Sequence, residues 1–171
     1  MREVSPDEIR GLVTDLAAEL RRLQALAGDV AAVRAEIEQD PAHAPLFYEN
    51  LAFKLHNFYT GCERIFQTVA SELNGAPPAG FDWHRRLLER MGIAWQSRPA
   101  LLSPATVESL REYLAFRHVV RNIYGFELDR ERIEYLVGRY PQVWRQVEAD
   151  IQRFMAWLEA LATELAMPPI L

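Results

Sequence analysis

Cysteine is almost missing from this 171-residue sequence, where Cys62 stands alone. One thiol excludes an intramolecular disulfide and any multi-cysteine metal site, and its place on the apolar stripe of a helix reads as a small buried core residue. Lysine is equally scarce: Lys54 is the only one among nineteen basic residues. Any anion site must therefore be built from guanidinium groups, which meet carboxylate or phosphate through planar, paired contacts. No apolar run approaches the ~20 residues that span a bilayer. The opening Met1-Arg2-Glu3-Val4-Ser5-Pro6-Asp7-Glu8 is too charged for a secretory signal. The expectation is a cytoplasmic protein without a membrane segment. His43, His56, His84 and His118 lack ligand-like spacing with carboxylates, and no helix carries a Glu-x-x-His pair. Neither a metal nor another cofactor is expected. A net charge of −5 argues mildly against broad nucleic-acid binding, although a sum of charges does not locate them.

Half of the residues are hydrophobic, enough to fill the core of one domain of this length. Ser5-Pro6-Asp7-Glu8 is a helix start, with Ser5 as cap, Pro6 in the first turn and Glu8 closing a capping box. Ile9, Leu12, Val13, Leu16, Leu20 and Leu23 follow at helical spacing. Gly28-Asp29 is expected to bend or interrupt this helix before Val30, Val33 and Ile37 resume it. The second helix carries a stripe of Leu51, Leu55, Phe58, Cys62, Ile65, Val69 and Leu73 in alternating steps of four and three. A short helix is predicted over Asp82 to Met91, then an irregular connection from Ile93 to Leu102. Ser103-Pro104 opens a fourth helix running through Ile123 to a terminator at Gly125. Asp129 caps a helix reaching Val137, and Pro141 is expected to start a separate last helix. With no strand pattern and no repeat, the reading is an all-α bundle of about five to six helices. It forms a single domain over 1–171, with 1–40 as an N-terminal helix packing on a bundle formed by 46–166.

The fourth helix carries the one unusual polar face. At about 100° per residue, Arg117, Arg121 and Tyr124 fall within about 60° of one another, with His118 and Asn122 stacked on the adjacent strip. Phe116, Val119, Val120 and Ile123 take the opposite, core side. Leu110 and Leu114 lie on the same side as Arg117 one and two turns earlier, so this face is apolar upstream and polar only at the cluster. It contains no acid. A positive, partly enclosed patch with imidazole and hydroxyl groups suits a phosphate diester.

Phe116-Arg117-His118-Val119-Val120-Arg121-Asn122-Ile123-Tyr124-Gly125 resembles the signature of the HEPN superfamily, specifically of HepT-like ribonuclease toxins. Leu55-His56-Asn57-Phe58-Tyr59-Thr60-Gly61-Cys62-Glu63-Arg64-Ile65-Phe66, Asp82-Trp83-His84 and Gly125-Phe126-Glu127-Leu128-Asp129 are similar to segments of the same proteins. The resemblance covers the chain from about residue 46 onward. It implies a HEPN-type bundle and metal-independent RNA cleavage, in which a 2′-hydroxyl attacks the adjacent phosphate, a His moves protons and an Arg stabilises the developing charge. It also implies a homodimer whose paired motif helices line one groove. The partner it implies is a minimal nucleotidyltransferase antitoxin that transfers AMP to the motif Tyr, here Tyr124.

The sequence departs from that signature where the family has its His, five positions after Arg117, because Asn122 stands there. Asn cannot exchange a proton near neutral pH. Two readings follow. In one, His118 carries the proton, Arg117 and Arg121 clamp phosphate and Asn122 positions the RNA, making Arg117, His118 and Asn122 the catalytic set. In the other, the chain is a weak or inactive HEPN-fold module for binding RNA or protein. A helical adaptor with an exposed apolar patch is the alternative from another class. Asp82-Trp83-His84-Arg85-Arg86 reads as a short capped helix with Trp83 in the core, or as a second basic spot whose aromatic could stack a base. His56 reads as a structural residue beside the apolar stripe. Glu63-Arg64 and Arg130-Glu131-Arg132 read as solvated faces or local ion pairs.

Overall fold

The computed structural model describes residues 4–122 and 128–167. Within them lie α1 (Pro6–Gln39), a 3-10 segment (Pro41–Phe47), α2 (Tyr48–Asn74), α3 (Trp83–Met91), α4 (Pro104–Val120) and α5 (Arg130–Ala166). Five α-helices and no strand make this an all-α bundle of HEPN type among the described residues.

The capping box of α1 forms as the sequence predicts: Ser5 Oγ accepts from the Glu8 N–H, and the Glu8 carboxylate accepts from the Ser5 N–H at 2.8 Å. The expected interruption at Gly28 does not occur, and α1 runs unbroken for 34 residues. A glycine inside a helix costs about 1 kcal/mol. Burying Val30, which is 1% exposed, returns more, since a fully buried aliphatic side chain is worth roughly 1.5–3 kcal/mol.

The same competition corrects the reading at Pro141, which lies inside α5 instead of starting a helix. An interior proline costs about 3 kcal/mol through its missing N–H and its clash with the preceding turn. Val137, Tyr140, Val143 and Val147 are buried on both sides of it, so the packing of one long helix along α1, α2 and α4 outweighs the local cost.

Helix α2 is the centre of the bundle and packs against all four other helices. Its predicted stripe, Leu51, Leu55, Phe58, Cys62, Ile65, Val69 and Leu73, is buried throughout. Phe58 meets Tyr113 of α4 and Tyr140 of α5 edge-on, with ring centroids 5.3 and 4.9 Å away, the arrangement that aromatic quadrupoles favour. Cys62 is a free buried thiol whose pKa burial pushes up, so it is held as an inert core residue. At Gly61 a Cβ would come within 2.6 Å of Leu23 Cδ2, so α1 and α2 cross closely only because no side chain stands there.

Two buried polar clasps fix the connection from α3 to α4. The Arg98 guanidinium, 2% exposed, donates to the carbonyls of Pro99, Arg90 and Ile93. Asp150 on α5 accepts from the Ser103 N–H at 2.7 Å and the Thr106 hydroxyl at 2.6 Å, tying the start of α4 to α5. Ser103 also caps α4, as expected, by accepting from the Thr106 N–H.

Candidate functional site

Helix α3 is short, and its position depends on a close approach. A Cβ on Gly92 would lie 2.7 Å from Val107 Cγ2, so the end of α3 sits directly against α4. With Leu87, Leu88 and Met91 buried, α3 lies across α2 and α4. That placement brings His84 over the end of α4, and the two basic spots that were separate in the sequence become walls of one cleft of about 580 Å³. Asp82, Trp83, His84 and Arg85 line one side, and His118, Arg121 and Asn122 the other. Trp83 is half-buried against the core, and Phe81 at the rim is wholly exposed.

Beneath the cleft lies a buried ionic chain. Glu63 on α2 is 4% exposed, and its two carboxylate oxygens face different partners. Oε1 lies 3.2 Å from Arg117 Nη2, and Oε2 lies 2.5 Å from His84 Nδ1. A carboxylate only accepts, so Nδ1 of His84 carries the hydrogen and Nε2 is the nitrogen left to exchange a proton. Arg117 Nε also donates to Thr60 Oγ1 at 3.3 Å. The His84 and His118 rings meet edge-on, with centroids 5.3 Å apart.

The predicted residues therefore divide. His118, Arg121 and Asn122 are exposed along the cleft. Arg121 has no side-chain partner among the described residues and lines the cleft. Asn122 Nδ2 donates to the His118 carbonyl at 2.7 Å, which occupies its amide nitrogen at the helix end. Arg117 is turned inward, 7% exposed, against Glu63. Tyr124, with the expected helix end at Gly125, lies outside the described residues. The helix itself stops at Val120, where the Asn122 N–H bonds to the Val119 carbonyl in a tightened last turn. Val119, assigned to the core side, is half exposed.

Charge and burial tune the imidazoles. His118 reaches solvent, yet partial burial of its ring, then His84 and Arg117, hold its pKa below the ordinary 6.5 against an opposing pull from Glu63. His56 is likewise lowered, first by burial and then by Arg117 and Arg121. Each is thereby kept in its neutral form, which can accept a proton. Among the described residues, no group of three or more His, Cys, Asp or Glu side chains converges as metal ligands, and no helix is long and apolar enough to cross a membrane.

Glu63 corrects the sequence reading, which gave it a solvated face or a local ion pair: it is buried and pairs with Arg117 on another helix. The missed signal lies beside the main stripe: Ala52, His56, Tyr59, Glu63, Phe66 and Ala70 follow the same four-three spacing, so α2 has a second inward stripe with three titratable members. Arg130 and Arg132 behave as read, the first over the Tyr48 ring and the second 3.8 Å from Glu112.

The five α-helices of the described residues form an all-α bundle of HEPN type. A family model described as HepT-like protein matches residues 50–158, and the chain belongs to this HepT-like family. No curated protein and no solved structure matches it.

Proposed function

We propose that this protein is a HepT-like toxin that cleaves RNA without a metal ion, and the observation that carries the reading is the shared cleft of His118, Arg121 and His84. The chemistry needs a base for the 2′-hydroxyl and a cation for the phosphate. His118, with its lowered pKa, supplies an imidazole that is neutral at physiological pH. Arg121 meets the phosphate. Arg117 sits one layer below and acts through Glu63, while Asn122 ties the turn at the helix end to the His118 carbonyl. Phe81, exposed at the rim, offers an aromatic face on which an unpaired base stacks.

A homodimer would set two such helix ends around one groove. Half-exposed Val119 beside an apolar hollow lined by Ala115, Phe116 and Leu128 supports that pairing. The partner in this reading is a minimal nucleotidyltransferase antitoxin that modifies Tyr124. An AMP there would add a bulky anion that competes with RNA for a guanidinium.

The test is a gel assay on a labelled oligoribonucleotide in chelator. Cleavage that is lost in both His118→Ala and Arg117→Ala is the expected result. Absence of cleavage by unmodified protein sinks the reading. A second reading, a HEPN-fold RNA-binding module with little turnover, is favoured by Asn122, whose amide is occupied by backbone where the family has a proton-exchanging His. It predicts a mobility shift of the same RNA without cleavage.

A further inference from the structure

RNA transesterification moves two protons, one off the attacking 2′-hydroxyl and one onto the departing 5′-oxygen, and a single imidazole at His118 accounts for only the first. From the geometry we infer that His84, oriented by the buried carboxylate of Glu63, is the second proton-transfer residue and protonates the leaving group; this rests on the ribonuclease reading above.

Three observations converge on His84. Its Nδ1–H is fixed by Glu63 at 2.5 Å, which sets the ring and reserves Nε2 for exchange. A carboxylate behind an imidazole also meets the positive charge that the ring bears while it holds the proton to be donated. Its ring stands 5.3 Å from that of His118 on the wall of the same cleft, so one phosphate can lie against both. Glu63 is itself held by Arg117 at 3.2 Å, which keeps the carboxylate aimed at α3. Arg117 and Glu63 are positioning residues, since neither reaches the cleft; His84 and His118 touch the substrate.

In the step, His118 takes the proton from the 2′-hydroxyl as the 2′-oxygen bonds to phosphorus. The bond from phosphorus to the 5′-oxygen breaks, and that oxygen receives the proton from His84 Nε2. The products are a 2′,3′-cyclic phosphate and a 5′-hydroxyl. His118 ends protonated and His84 neutral, and exchange with water restores both.

The test uses the full-length protein and two oligoribonucleotides, one natural and one with sulfur replacing the 5′-bridging oxygen at a single linkage. A thiolate leaves without being protonated, so the second substrate needs the base but not the acid. Removal of a general acid–base group lowers rate roughly 10²- to 10⁴-fold. His84→Ala is expected to lose that factor on natural RNA and to retain near-parental rate on the sulfur substrate, whereas His118→Ala loses both. His84→Asn, whose amide keeps a donor toward Glu63, is the companion variant and decides the matter if the alanine protein does not fold. Cleavage of natural RNA by a His84 variant at the parental rate overturns the inference and leaves the ribonuclease reading standing. Equal loss on both substrates in a variant that melts like the parent overturns the acid role. If the parent cleaves neither substrate, the ribonuclease reading falls and this inference with it.

Discussion

Two buried carboxylates, Asp150 and Glu63, are equally hidden at 4% exposure, and they are used differently. Asp150 accepts from the Ser103 N–H, the Thr106 hydroxyl and Arg153. Burial alone would raise its pKa, but those hydrogen bonds and the Arg153 charge outweigh it and hold the group below the usual carboxylate value. Two of its three partners are fixed groups at a helix start, so its charge is spent on joining α4 to α5. Glu63 instead faces two ionisable side chains, one of which lines a cleft. Around it stand His56 Nδ1, Tyr59 Oη and Arg117 Nη1, three of the six buried side-chain polar atoms without a partner among the described residues. Folding normally pairs such atoms, and unpaired ones concentrate where a structure serves something besides its own stability. A buried acid whose partners are all satisfied holds the fold, while one amid unsatisfied, titratable neighbours is a candidate for a site.

The largest expected effect on stability is at Glu63. Glu63→Ala leaves Arg117 buried without its counter-charge, and removing one partner of such a pair costs about 3–5 kcal/mol, to be read from urea unfolding. The double variant Glu63→Leu/Arg117→Met is expected to cost less than the single one, and a single-variant loss below about 1 kcal/mol would mean that the pair behaves as a surface ion pair. Asp150→Ala comes next. It strands the Ser103 N–H and the Thr106 hydroxyl, at about 1–3 kcal/mol by the same measurement.

A smaller effect separates the two regions by pH. His56 and His118 have folded-state pKa values below 6.5, so the unfolded chain binds protons more readily than the native one. The stability they contribute is complete above pH 6.5 and is lost as pH falls through that value toward their folded pKa values. Asp150 has its own window, with stability present above 3.8 and lost as pH falls below it. Thermal melts should therefore begin to decline below pH 6.5 and fall further below 3.8, and His56→Gln should flatten only the first decline. Smallest is Arg121→Ala, an exposed change expected to alter stability by no more than about 0.5 kcal/mol. It should reduce the salt dependence of single-stranded RNA binding by about 0.7 in log–log slope, the value of one phosphate contact.

The sequence made the bundle legible wherever local signals and tertiary packing agreed. Ser5 and Ser103 cap, the α2 stripe is buried, and α3 ends at Met91 before Gly92. At Gly28 and Pro141 the local signal was real but smaller than the packing on either side, and one sequence cannot weigh the two. The cleft was legible by half. His118 lies in the last turn of α4 and Arg121 and Asn122 in the turn that follows it, so closeness in sequence alone groups them. Their meeting with His84 depends on where a nine-residue helix lands, set by the Gly92–Val107 contact and the Arg98 clasp. Arg117 is the neighbour of His118 on α4 but faces Glu63 across the bundle, which helical spacing alone does not disclose.

The most direct measurement is turnover of one oligoribonucleotide by Glu63→Gln and Asp150→Ala, side by side at a temperature where both variants are folded. If Glu63 serves the reaction and Asp150 the fold, Glu63→Gln loses about 10²-fold or more in kcat, while Asp150→Ala retains parental kcat despite its lower melting temperature. Equal kcat values for the two variants, or no turnover by the parent, would contradict that division.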